Sequence, residues 1–388
     1  MMKYCYFPVL KTRPSEVKAY ENLNEEIKDA ILPVIELTGA LGYTYPKNYK
    51  IENLRGTKRP GDITKKRSKI LSMVEKRRFI LDITDDDSLK YYGLGETSGG
   101  LLDHSDGYKA WINFLTEESS FKKLVIPTIQ FNTNYLEDVK KQIAQLNSVF
   151  DYISIKLPAF LNSSENLSSS LIFNSSISEI LNFLYKRISG GKIILLLDFG
   201  YVPQFNTIKD LIEKEIKQIT GIGKLKALII VSSSYPSFVP NVPKPILITE
   251  NDISELFQTS IPKRNNIFHG DFAGLHPTKY EMGGGGWIPR IDYIVRDANT
   301  SKPLCYDYCR GVRRNVSQEY YSLAKSVISA DNYKKITETD CFGDFAVKQK
   351  AEGKEEGKAP SYWIAVRSNL YMTMQCLYLK QKGSFLIL

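Results

Sequence analysis

The stretch ILPVIEL, residues 31–37, is an apolar run that carries a single carboxylate, Glu36, near its end. A short run rich in Ile and Val, with no polar alternation, has the pattern of a strand buried on both faces, and such strands build parallel sheets. The formula recurs nearly unchanged. Pro8-Val9-Leu10-Lys11 and Pro127-Thr128-Ile129-Gln130 also place an apolar run before one polar residue. Working outward, eight such runs follow one another: YFPVL (6–10), ILPVIEL (31–37), FILDI (79–83), LVIPTI (124–129), YISI (152–155), IILLL (193–197), ALIIV (227–231) and IFHGDF (267–272). Helical spacing fills the gaps. Pro14-Ser15-Glu16 opens one helix, with Val17, Tyr20, Leu23, Ile27 and Ile31 along one face; residues 135–146 and 176–188 form others.

Strands alternating with helices predict an α/β fold, and eight of them predict a (β/α)8, TIM-barrel-like domain over residues 1–279. A doubly wound open sheet competes; the count reaching eight without long interruption favours the barrel. The eighth strand is the weakest, because His269 and Gly270 interrupt it. Residues 280–388 read as a C-terminal α+β appendage packed on the barrel. It contains a GGGG loop, a hairpin of 291–295 with 304–308, a helix over 317–329 and a terminal helix over 362–379.

Charge is unevenly placed. The whole chain carries +9, and the window 47–78 alone holds twelve basic and three acidic residues, which accounts for all of it. The 43% hydrophobic content supports a real core and excludes a disordered chain. Five cysteines at irregular positions give no disulfide framework. Lys11 ends the first apolar run too early for a signal-peptide core, and no run approaches the roughly eighteen apolar residues of a membrane helix. The expectation is a cytoplasmic protein without membrane contact.

The opening YFPVLKTRPSEVKAYENLNEEIKDAILPVIELT resembles the beta-protein family of bacteriophages and bacterial mobile elements. Other patches are similar to it: LLLDFG (195–200), CRG (309–311), YYSLA (320–324), FGDFAV (342–347) and WIAVRSN (363–369). The family's usual Asn-His-His near the end is reduced here to Asn369 in SYWIAVRSNLYMTMQ. The resemblance implies a setting rather than a chemistry: phage and prophage genes, including exclusion and toxin-neutralising modules. A protein partner encoded nearby, a toxin or defence component, belongs to that setting.

Candidate sites follow from the barrel, whose chemistry sits where strands end. Glu36, Asp82, Asp198 and Asp271 are carboxylates at strand ends and can hold Mg2+; Lys11 and Lys156 can neutralise phosphate; His269 is the candidate general acid or base. Ser232, Ser233, Ser234 and Gly270, after the seventh strand and within the eighth, suit phosphate binding. Lys58, Arg59, Lys65, Lys66, Arg67 and Lys69 in GTKRPGDITKKR form a candidate nucleic-acid grip, with Tyr43, Tyr45 and Tyr49 available to stack bases. Each has a plainer reading: an ion-pair network, ordinary turn chemistry, a solvated loop. Cys305 and Cys309 lie about 13 Å apart along a strand, too far for one zinc. There is no P-loop, GxSxG, HExxH or correctly placed GxGxxG. Two functions stand. One is a defence or exclusion component that engages nucleic acid or a phosphorylated ligand, with metal-dependent phosphodiesterase or nuclease-like hydrolysis as its enzymatic form. The other is a non-enzymatic immunity or regulatory protein that binds a toxin or phage protein.

Overall fold

The computed structural model describes residues 2–44, 57–90, 92–95, 99–158, 175–202, 225–237, 246–248, 254–255, 258, 266–278, 288–297, 299–309, 316–331, 333, 341–354 and 356–388. The chain enters through β1 (Lys3–Tyr4) and the first barrel strand, β2 (Phe7–Lys11). Two helices follow, α1 (Pro14–Glu21) and α2 (Glu25–Ala30), where the spacing predicts one. The break is local: Asn24 is extended, and its side chain accepts the Ile27 N–H at 3.0 Å, which caps a new helix. Strand β3 (Val34–Leu37) comes next, then an antiparallel ribbon of β4 (Leu41–Thr44) and β5 (Thr57–Pro60), helix α3 (Lys65–Val74) and strand β6 (Phe79–Ile83).

Helices and strands then alternate through α4 (Ser105–Thr116), α5 (Ser119–Leu124), β7 (Val125–Pro127), α6 (Leu136–Val149), β8 (Ile153–Pro158), α7 (Ser175–Arg187), β9 (Ile193–Tyr201) and β10 (Ala227–Ser233). After the short β11 (Ile246–Ile248), β12 (Ile267–Asp271) completes the set. Eight parallel strands join in the order β7-β6-β3-β2-β12-β10-β9-β8. First and last barrel strands pair directly, Gly270 in register with Phe7. The remaining gap, between β7 and β8, narrows to one bridge of Thr128 with Ser154, where the Ile129 N–H donates to the Ser154 carbonyl at 2.9 Å. The (β/α)8 barrel predicted from the eight apolar runs is the fold observed.

Alternation decides what each strand residue faces. Val9, Val34, Ile80, Ile126, Leu196, Ile229 and Phe268 form the barrel's interior. Their neighbours Leu10, Ile35, Leu81, Leu195, Leu228 and Ile230 form the outer core under the helices. Both faces are therefore apolar, which is why the strands read as continuous runs. Each such side chain contributes about 1.5–3 kcal/mol on burial. The bottom of the barrel is stoppered by β1 pairing with β15 (Leu386–Ile387), so Tyr4 and Leu386 pack under the interior.

The hairpin is formed by β13 (Arg290–Arg296) and β14 (Pro303–Cys309), and β11 adds a third strand to it. Helices α8 (Val316–Ile328), α9 (Phe342–Ala351) and α10 (Pro360–Lys382) follow. Helix α10 belongs to two cores at once. Ala365, Met372 and Cys376 pack in the barrel's outer core, while Trp363, Val366, Leu370 and Met374 pack with the hairpin and α8. The sequence places Trp363, Val366, Leu370 and Met374 on one face, and they pack as one; the helix also buries its other sides, Arg367, Asn369 and Gln375 included. Gly343 lets α9 approach it: a Cβ there would stand 2.7 Å from the Val366 carbonyl oxygen. Among the described residues, no helix is long and apolar enough to cross a membrane. The GGGG loop, Tyr45, Tyr49 and the basic residues Lys47, Lys50 and Arg55 lie outside the described residues.

Candidate functional site

The inward positions of the strands turn from apolar to polar at the C-terminal mouth. Continuing the interior register, β2, β3, β6, β8 and β9 present Lys11, Glu36, Asp82, Lys156 and Asp198, all sequence candidates. The structure brings these five together. Glu36 is the hub: its Oε2 lies 3.3 Å from Lys11 Nζ and its Oε1 lies 3.1 Å from Lys156 Nζ. Lys156 Nζ also lies 2.7 Å from Asp82 Oδ2 and 2.7 Å from Asp85 Oδ2. Gln130 donates to Asp82 Oδ1 at 3.2 Å and Thr84 donates to Glu36 Oε2 at 3.3 Å. Lys11 further donates to the Pro277 carbonyl and lies 5.6 Å above the Phe272 ring.

Burial and charge oppose each other here. Burial would push Glu36 up, but Lys11 and Lys156 outweigh it and hold the carboxyl down at about 2. Burial would push Lys156 down, but Asp82, Glu36 and Asp85 keep it well above the ordinary lysine value. Asp82 is raised by burial against the pull of Lys156. Asp198 is raised to about 6 by burial, which outweighs the pull of Lys156 and of the Gly200 N–H that its carboxylate accepts at 2.8 Å. Asp198 therefore changes protonation near neutral pH, the property a general acid or base needs.

That shift fixes a testable sign. Asp198 titrates at about 6 folded against 3.8 unfolded, so the folded state holds the extra proton between those values and stability falls as pH rises through them. Asp198→Asn keeps the acceptor for Gly200. It is expected to stabilise the protein at pH 7–8 by about 2–3 kcal/mol and to flatten the slope between pH 4 and 6. Urea unfolding across that range checks this; an unchanged slope refutes it.

The acids stand around an ammonium. The ammonium of Lys156 fills the space between Glu36, Asp82 and Asp85 that a cation would take. Among the described residues, no group of three or more His, Cys, Asp and Glu side chains is placed to hold a metal.

Asp271 and His269 depart from the expected mouth cluster. Gly270 faces inward against Ile229 and Val231, so its neighbours on β12 face outward by strand alternation. Asp271 accepts from Tyr6 OH at 2.5 Å and from the Ala273 N–H at 2.8 Å, and its Oδ2 lies 2.9 Å from His269 Nε2. Ser254 Oγ lies 3.5 Å from His269 Nδ1. The line Ser254–His269–Asp271 has the residue types of a hydrolytic triad; all three are buried, with Asp271 2% exposed, on the outward side of the barrel wall.

The serines at the end of β10 are engaged too. Ser233 Oγ donates to the Leu275 carbonyl and Ser234 Oγ to the Val202 carbonyl, both at 2.8 Å, tying three loops of the mouth together. Ser232 is buried. Beyond them, Tyr235 joins Asp292 and Arg367: Arg367 Nη1 donates to Asp292 Oδ2 at 2.5 Å and its guanidinium lies 4.2 Å from the Tyr235 ring centre. This knot fastens α10 and the hairpin to the barrel.

The basic window divides. Lys58 and Arg59 sit on the β4–β5 ribbon in register with Tyr43 and Gly42, and their side chains lie outside the described residues. Lys66 turns inward and donates to Thr38 Oγ1 at 3.0 Å and to the Thr12 carbonyl at 3.2 Å. Burial, with Lys69 nearby, pulls its ammonium down to about 8. Arg67 donates to the Phe114 carbonyl at 3.2 Å and to Glu117 at 2.5 Å. Both fasten α3 to the barrel; Lys65 and Lys69 stand exposed.

The mouth opens beside Lys156 into a pocket of about 210 Å³ whose wall includes Asp82, Asp85, Lys90, Gln130, Asn132 and Lys156. Asp85, Lys90 and Asn132 were not candidates in the sequence. The usable signal was their position two and seven residues beyond β6, or two beyond Gln130, where barrel loops carry function. Tyr108 also lines the pocket, at the end of three successive left-handed residues, Asp106, Gly107 and Tyr108, with φ of 54°, 73° and 60°. Such backbone is costly for non-glycine residues and persists only where the surroundings impose it.

Against known proteins, the model of the family described as Beta protein matches residues 6–376. The chain is also 26% identical over 383 residues to Protein beta of Enterobacteria phage P4, covering 96% of this chain and 93% of that protein.

Proposed function

Because the chain belongs to the Beta protein family, we propose that it works in phage–host conflict, as a defence or exclusion component, and that its barrel mouth binds a small phosphorylated molecule. The observation that carries this reading is the pocket beside Lys156. Two ammonium groups, Lys156 and Lys90, share its wall with the amides of Gln130 and Asn132, at the face where barrels bind ligands. A volume of about 210 Å³ suits a small molecule better than a polymer. The basic window supports a nucleic-acid grip less well, since Lys66 and Arg67 are spent on holding α3 in place. No magnesium-dependent cleavage is part of the reading, for Lys156 stands where the metal would.

The test is calorimetric titration with a panel of phosphorylated metabolites and mononucleotides. Wild type is expected to bind at least one of them, and Lys156→Met to lose it. Because removing Lys156 unpairs buried carboxylates, Asn132→Ala serves as the gentler variant, with affinity expected to fall about 3–10-fold, the worth of one hydrogen bond. A panel with no binder, or binding indifferent to both substitutions, removes this reading and points to a protein partner.

A further inference from the structure

The sequence TDDDS, residues 84–88, follows β6 and places three consecutive carboxylates at the mouth. They do different work. Asp86 accepts from the Ser88 N–H at 3.1 Å and from Ser88 Oγ at 2.6 Å, which starts the single turn Asp87–Leu89. Asp85 and Asp87 each reach a lysine of the pocket wall: Asp85 Oδ2 lies 2.7 Å from Lys156 Nζ, and Asp87 Oδ1 lies 2.9 Å from Lys90 Nζ.

Asp85 is not needed to neutralise Lys156. Lys11 and Lys156 already face three buried carboxylates, Glu36, Asp82 and Asp198, the last raised to about 6 by burial. Asp85 adds a further negative charge to this surplus, and it differs physically from the two buried carboxylates that pair with Lys156. The side chains of Glu36 and Asp82 are 4% exposed, whereas that of Asp85 is 55% exposed and that of Asp87 is 92% exposed. A solvent-facing arm of an ion pair is worth only about 0–1 kcal/mol, so it detaches readily; the buried arms do not. The place Asp85 occupies is thus an anion position, built against a fixed ammonium and held by a carboxylate that water can take back.

We infer that Asp85, assisted by Asp87, is an internal competitor that occupies the anion position of the pocket until a phosphorylated ligand displaces it from Lys156 and Lys90. The inference rests on the pocket reading above and adds its regulation. The loop screens out weak anions, because a ligand gains only the difference between its own contacts and those of Asp85. A phosphate group, with several acceptor oxygens and more negative charge than a carboxylate, can span both lysines where Asp85 and Asp87 each reach one. Binding then releases the TDDDS loop to solvent, which couples occupancy to the shape of the mouth.

The experiment titrates wild type, Asp85→Asn and Asp85→Asn/Asp87→Asn with inorganic phosphate and pyrophosphate by calorimetry at low salt. A seating worth about 1 kcal/mol holds Asp85 in place about five-sixths of the time, so freeing Lys156 should tighten binding about sixfold. Adding Lys156→Met to Asp85→Asn should abolish the gain. Asp85 is exposed, so its Asn variant is expected to melt within a degree or two of wild type, and a melt confirms that it folds. Equal or weaker affinity in Asp85→Asn overturns the competitor. If wild-type binding is then still lost in Lys156→Met, the pocket reading survives alone. If none of the three proteins binds either anion, the competitor is overturned too, while a metabolite bound through Asn132 in the wider panel would still uphold the pocket.

Discussion

Glu36→Gln is expected to cost about 3–5 kcal/mol of stability, the loss typical when one partner leaves a buried ion-pair network. Glu36 is 3% exposed and contacts both mouth lysines. Gln keeps the size and one acceptor but leaves Lys11 with no carboxylate among the contacts described above, deep in the mouth. The cost should depend on acidity. The Glu36 carboxyl titrates at about 2 folded against 4.5 unfolded, so its stabilisation is fully present above pH 4.5 and is lost as pH falls through 2. Wild type and variant should therefore differ most at neutral pH and converge near pH 2. Denaturant unfolding at several pH values measures this. A double replacement, Lys11→Met with Glu36→Leu, should recover much of the loss, since it removes both charges together. A deficit under 1 kcal/mol at pH 7, or one that grows in acid, would show that the network is not what holds the mouth.

Gly270→Ala is expected to destabilise the protein by about 3 kcal/mol, at the upper end of ordinary overpacking. A Cβ at Gly270 would stand 2.8 Å from the Phe7 carbonyl oxygen, with Val231 Cγ2 at 3.0 Å and Ile229 Cγ2 at 3.1 Å. The first of these is backbone of the neighbouring strand, at the joint where β12 meets β2 and closes the barrel, and it cannot rotate away. Gly270 is thus glycine because two strands and two β-branched side chains crowd it, which is a reason of packing. Thermal melting decides between this and a phosphate role: a variant that keeps wild-type stability but loses ligand binding would restore the latter.

The barrel was legible because parallel strands carry apolar residues on both faces. IILLL and ALIIV needed no context to be read as β9 and β10, and the hairpin of β13 with β14 followed from two runs across a turn. Half of the mouth was legible too. Lys11, Glu36, Asp82, Lys156 and Asp198 end their runs in the inward register, and the structure gathers them. Asp271 stands apart from that cluster, and the sequence carries the reason: in FHGDF, Phe268, Gly270 and Phe272 share one parity and His269 and Asp271 the other. What no local pattern carries is the partner. That Lys66 turns toward Thr12 and Thr38, or that Asp85 reaches Lys156, depends on bringing together residues dozens of positions apart. Helix α10 shows the same division. Its sequence shows a helix with Trp363, Val366, Leu370 and Met374 on one face; only tertiary packing shows that this face meets the hairpin core and that the opposite side is buried against the barrel. Periodicity reports how a segment meets an apolar surround. Which charge meets which is set by the closure of the barrel, and closure is a property of all eight strands together.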